Sequence, residues 1–97
     1  MIHELKTDPA AFDATKRGLK TFEIRRDDRG FQVGDGLYLR ETQHSGLEML
    51  NGEPLIYTGE SLFVHVFHIL RGPVYGLHAG WVIMSVKQPA TPPASAA

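Results

Sequence analysis

A small α+β domain, built as a mixed β-barrel of five to six strands with one helix before the second strand, is the architecture this sequence predicts. Three observations lead to it. Short segments at Ile2 to Leu5 and Leu37 to Glu41 alternate with the period of two that half-buried strands show, and Trp81 to Val86 reads as a last strand. One helical stretch with both ends marked lies between the first strand and the second. Glycine and proline clusters then interrupt the chain at short intervals, which suits a small barrel-like sheet.

In the first strand, Ile2 and Glu4 fall on one face and His3 and Leu5 on the other. Asp8 is a suitable N-cap and Pro9 a suitable first helical residue. Ala10, Ala11 and Ala14 favour helix, while Phe12, Thr15 and Leu19 give a partial apolar stripe. Lys16 and Arg17 fall in the last turn, where cations complement the helix dipole, and Gly18 supplies the positive φ that ends it. Lys20 to Arg25 reads as the second strand. Asp27-Asp28-Arg29-Gly30 and Val33-Gly34-Asp35-Gly36 read as tight turns.

The third strand places Leu37 and Leu39 inward, Tyr38 and Arg40 outward. From Thr42 to Gly59 the periodicity is lost, so a long loop is expected there, either closing over a cleft or forming a variable hairpin. Ser61 to Leu70 is the longest strand. It is apolar on both faces apart from His65 and His68, which predicts a course through the core, with the two histidines on opposite faces. Arg71-Gly72-Pro73 breaks it, and Val74 to Gly80 is expected to form turns with one short helical turn. The domain so defined spans residues 1–87; residues 88–97, composed of Gln, Pro, Ala, Thr and Ser, read as a flexible tail.

Composition narrows the function. Ninety-seven residues, 42% of them hydrophobic, suffice for one modest core. The absence of cysteine excludes a disulfide framework and any thiolate metal site. No apolar run suggests a signal peptide or a membrane span, and a cytoplasmic location is expected. The net charge of −1 argues against non-specific coating of nucleic acid, but the charge is unevenly spread. Residues 16–29 hold six basic side chains against three acidic ones, a local excess of three positive charges. The five histidines lie at no spacing that resembles a zinc motif, and neither a phosphate-binding glycine loop nor a G-x-S-x-G elbow is present. No metal or other cofactor is expected.

The chemistry concentrates in Lys20, Thr21, Glu23 and Arg25. On a period-two strand Thr21, Glu23 and Arg25 share one face, with Phe22 and Ile24 behind them, and Lys20 at the first position leans over either face. If that face lines a cleft, the cleft offers a carboxylate, a guanidinium and an ammonium to an anionic, hydrogen-bonding ligand. A structural ion-pair row along an edge strand is the alternative on the same residues.

Gly18-x-Lys20-x-x-Glu23-x-Arg25 resembles the G-x-K-x-x-E-x-R signature of ASCH domains, small β-barrels of the PUA-like superfamily associated with RNA. Ile2 to Lys6, Phe31 to Asp35, Gly72-Pro73, Gly76-Leu77 and Gly80-Trp81-Val82 extend the resemblance to a small bacterial and phage branch catalogued as a domain of unknown function. The resemblance implies that Lys20, Glu23 and Arg25 line the cleft of the barrel. One group of relatives hydrolyses acetylated cytidine with a lysine and a threonine of this strand and a distant glutamate. The lysine corresponds to Lys20, but Glu23 stands where that threonine would be.

Three readings follow. In the first, the domain is a nucleic-acid-related binding module that takes RNA or a nucleoside-like small molecule. Lys20, Thr21, Glu23, Arg25, Arg29 and Tyr38 contact the ligand, and Tyr38, Phe31 or Trp81 stacks on a base. In the second, it is a hydrolase acting on a modified nucleoside or on RNA, with Lys20 as nucleophile or base and Glu23 assisting. In the third, it is a bacterial or phage-borne factor that binds a protein partner through the 42–59 loop. The protein is expected to be a monomer or weak homodimer without membrane association.

Overall fold

The computed structural model describes residues 1–89; residues 90–97, most of the segment read as a tail, lie outside the described residues. The elements are β1 (Ile2–Thr7), α1 (Pro9–Lys16), β2 (Phe22–Arg26), β3 (Gly36–Thr42), α2 (Gly46–Leu50), β4 (Tyr57–Arg71) and β5 (Trp81–Lys87). One five-stranded sheet runs in the order β1-β3-β4-β5-β2. The β1–β3 pair is parallel and the other pairs are antiparallel, so the sheet is mixed and curls into a half-barrel with α1 between its two edge strands in sequence.

Alternation decides which side chains enter the barrel. His3, Leu5 and Thr7 of β1, Leu37 and Leu39 of β3, Val64 and Val66 of β4, and Val82, Met84 and Val86 of β5 are buried. Phe12 of α1 and Phe31 of the β2–β3 connection complete the core from the open side. The helix ends where expected: Gly18 adopts φ 76°, and the amides of Leu19 and Lys20 return to the Ala14 carbonyl. Its start also falls where expected, with Asp8 at the N-cap position and Pro9 the first helical residue, but the cap bond is absent. Asp8 makes no side-chain cap to α1; its Oδ1 accepts instead from the Gly46 amide at 3.0 Å, tying the first turn of α2 to the β1–α1 junction.

Three further expectations are corrected. The 42–59 segment contains the short helix α2, opened by a reciprocal cap in which the Glu48 amide donates to Ser45 Oγ and the Ser45 amide to Glu48 Oε1. Strand β4 is not buried on both faces: His65, Phe67, His68 and Leu70 are exposed. A bulge explains this. His65 pairs with Lys87 and His68 with Ser85, so three steps on β4 match two on β5 and both histidines fall on the outer face rather than on opposite ones. Finally, Val74 to Gly80 holds no helical turn; Val74 and Leu77 bridge around Tyr75 and Gly76 as a two-residue hairpin tip.

Candidate functional site

The two edge strands face each other across a seam. Among the described residues no backbone ladder joins β1 to β2. Pairing with β3 consumes the groups of alternate β1 residues, as in the Gly36 amide to Met1 carbonyl bond, and leaves the Glu4 and Lys6 carbonyls on the free side. Arginines from the far edge fill that vacancy: Arg25 Nη2 donates to the Lys6 carbonyl at 3.0 Å and Arg29 Nη1 to the Glu4 carbonyl at 2.6 Å. The seam is therefore held by side chains, and a bare strand edge is covered.

Strand β2 presents its charged row inward. Glu23 lies opposite Met84 and Arg25 opposite Val82, both core residues, whereas Phe22 and Ile24 are 46% and 48% exposed on the outer face. The alternation expected for this strand holds from Phe22 onward, with the apolar row backing onto the exterior, but Lys20 and Thr21 precede the strand and Thr21 is exposed rather than sharing the Glu23 face. Glu23, only 2% exposed, is the hub. Its Oε2 accepts from Lys20 Nζ at 2.6 Å, and its Oε1 accepts from Arg25 Nε and Nη2 at 3.1 and 3.0 Å. A buried carboxylate is tolerable only with such partners, and the two cations sharing one anion leave the cluster net positive. Lys20 Nζ also donates to the Phe22 carbonyl at 2.6 Å and lies 4.8 Å from the Phe22 ring centroid, so it acts as a held cation.

Two contiguous openings occupy the seam and share Lys6, Ile24 and Arg25. One, of about 260 Å³, is lined by Thr7, Asp8, Lys20 and Glu23 besides those three. The other, of about 420 Å³, is bounded by Lys6, Arg25, Arg26, Arg29 and Trp81, with Asp28 the one acid of its lining. Arg26 lies over Trp81, 5.6 Å from the ring centroid. Lys6 and Arg26 form no ion pair among the described residues, so their charge is available to a ligand.

The structure brings together Lys20, Glu23, Arg25, Arg29 and Trp81 from the sequence reading. Thr21 stands apart. It is exposed and lines a separate cleft of about 260 Å³ with Thr15, Val86 and Gln88, although Lys20 borders that cleft too. Tyr38 is also elsewhere: on the outer face of β3 it packs edge-to-face on Phe63 and borders a groove with Glu4, Arg40 and Ser61. Its even position in a strand whose odd residues enter the core carries it away from the seam. Phe31 is 1% exposed and stacks edge-on with His3, so it is wall and core rather than a stacking platform. Lys6, Thr7 and Arg26 were missed. Extending the β1 alternation by two residues finds Thr7, and the basic run Arg25-Arg26 marks the second cation.

A second buried polar cluster ties β1 to the turn before β3, and its His3 packs edge-on against Phe31, which lines the larger opening. His3 Nε2 lies 2.8 Å from Asp35 Oδ2, and that oxygen also accepts from the Gln32 amide at 3.0 Å. Burial pushes the Asp35 carboxyl up, but the bonds from His3, Gln32 and the Met1 amino group outweigh it and hold the carboxyl below its ordinary value. Asp27 fixes the next turn, accepting from the Phe31 amide at 3.0 Å and from Arg71 Nη1 at 2.7 Å.

No helix among the described residues is long and apolar enough to cross a membrane. No curated protein matches the chain. Residues 2–86, which include every residue of the seam, match a family described as Domain of unknown function (DUF3850), and the chain belongs to that family.

Proposed function

We propose that this domain is an ASCH-type member of the PUA-like superfamily, and that its seam binds the phosphate and base of a nucleotide unit, as free ligand or within single-stranded RNA. The observation that carries this reading is the convergence of Lys6, Arg25, Arg26 and Arg29 with Trp81 around one opening of about 420 Å³. Guanidinium groups suit phosphate because they donate in a planar fork, and an indole face accepts any base by stacking. Glu23 restrains Arg25, so part of the ordering cost is met before the ligand arrives. The G-x-K-x-x-E-x-R stretch and the half-barrel are consistent with the family placement.

Trp81 is the single tryptophan of the chain and so reports on its own cleft. Titration with nucleoside monophosphates and with single-stranded oligoribonucleotides is expected to give saturable quenching of Trp81 fluorescence, lost in Arg29→Ala. A flat titration of the folded wild type contradicts the proposal.

One observation favours a second reading. Lys20 and Glu23 meet at 2.6 Å beside the smaller opening, and Thr7 lines it with them, so a lysine, a hydroxyl and a carboxylate share one small cleft. That set suits hydrolysis of a modified nucleoside. Incubation with acetylated cytidine distinguishes the two readings: acetate release lost in Lys20→Ala supports the enzyme, and binding without product supports the module.

A further inference from the structure

Tyr75 occupies a conformation that its side chain disfavours, and it gains no packing in return. It is the one non-glycine residue with positive φ among the described residues, at 47°, and it is 94% exposed. It occupies the first tip position of a two-residue turn, followed by Gly76 at φ 83°, where asparagine or glycine fits without strain. The hairpin that carries it is stiff. The Val74 and Leu77 amides each donate to the other residue's carbonyl, at 3.2 and 2.8 Å, and a side chain at Gly72 would collide with the His78 carbonyl. Its base is bolted to the seam: the Gly72 amide donates to the Trp81 carbonyl at 2.9 Å, and the Asp27 amide to the Gly80 carbonyl at 2.8 Å. An aromatic ring is thus presented to solvent, at a backbone cost, on a rigid arm rooted beside the basic cleft.

We infer that Tyr75 is a second stacking platform for the ligand of that cleft, which makes the ligand a single-stranded nucleic acid of several nucleotides rather than a free nucleotide. This rests on the reading of the seam as a phosphate and base site. Tyr75 lies three residues beyond Gly72, at most about 11 Å of chain. Tyr75 is not among the residues that line the opening at Trp81, so it meets a strand that continues out of the cleft rather than a nucleotide seated within it. The arrangement is sequence-tolerant, because each base offers the same kind of face and the phosphates meet the arginines.

The test compares Tyr75→Asn and Tyr75→Trp with wild type, using a fluorescein-labelled oligoadenylate of about ten nucleotides and, separately, adenosine monophosphate followed by Trp81 fluorescence. Tyr75→Asn is expected to weaken oligonucleotide binding roughly tenfold while leaving the mononucleotide affinity unchanged and the melting temperature equal or higher, since asparagine relaxes the turn. Tyr75→Trp retains oligonucleotide binding. Unchanged oligonucleotide affinity in Tyr75→Asn, with both probes still bound at the seam, overturns the platform alone and leaves the seam reading standing. Failure of wild type to bind either probe overturns both.

Discussion

Arg25 Nη2 lies 3.0 Å from the carbonyl oxygen of Lys6, which belongs to the strand at the opposite edge of the same sheet. One side chain thus does the work that a backbone ladder does elsewhere in the half-barrel, and the same guanidinium grips Glu23 through Nε and Nη2. Closure and charge are linked in a single residue. Arg25→Lys is expected to behave nearly like Arg25→Ala, because an ammonium cannot hold both the carboxylate and the carbonyl in a planar fork. Urea unfolding is expected to show a loss of about 1–2 kcal/mol for either change. Full stability of Arg25→Lys contradicts the bridging role.

Glu23 is the more sensitive member of the pair. Glu23→Gln keeps the shape of the side chain but turns an amide toward cations that sit at 2.6 and 3.0 Å. Removing the anion of a buried cluster costs several kcal/mol, and the partial exposure of both partners, 18% for the Lys20 side chain and 25% for that of Arg25, reduces it to about 2 kcal/mol. Thermal unfolding is expected to show a fall in Tm on the order of 10 °C.

Asp35 governs the acid response. Its carboxyl is held below the ordinary value in the folded protein, so the folded state binds fewer protons there than the unfolded chain does. Its contribution to stability is present above the unfolded value of about 3.9 and is lost as pH falls through the lowered folded value. Wild type is therefore expected to lose stability more steeply than Asp35→Asn below about pH 4, measured by urea midpoints across the acid range. Parallel curves for the two proteins contradict this.

These tests bear on residues that were unequally legible in the sequence. Leu37 and Leu39 inward, Tyr38 and Arg40 outward, follow from alternation alone, and so does the shared face of Glu23 and Arg25. Which face of β2 turns inward is not a local property. It depends on Met84 and Val82 of a strand some sixty residues away in the chain. The bulge at Phe67 was hidden for the same kind of reason, because one extra residue in a ladder is visible only against its partner's register. Helix α2 carried a readable signal in Ser45-Gly46-Leu47-Glu48, a capping box, but at five residues it has no apolar period to announce it. The arginine contacts to the Glu4 and Lys6 carbonyls have no sequence signature, since backbone acceptors are the same at every position.

The salt dependence of oligonucleotide binding tests the central claim most directly. Lys6 and Arg26 border the larger opening and form no ion pair among the described residues, so Lys6→Ala/Arg26→Ala removes charge and, of the fold's contacts, the Arg26 stacking over Trp81 but no salt bridge. Each phosphate contact to a single strand contributes about −0.7 to the slope of log K against log salt. Wild type is expected to bind single-stranded RNA with a slope near −3, as four cations imply, and the double variant with a slope shallower by about 1.4 while remaining folded, its Tm lowered by a few degrees at most through the lost Arg26–Trp81 contact. Equal slopes for the two proteins, or no binding by folded wild type at low salt, contradict the account of the seam as a phosphate-binding cleft.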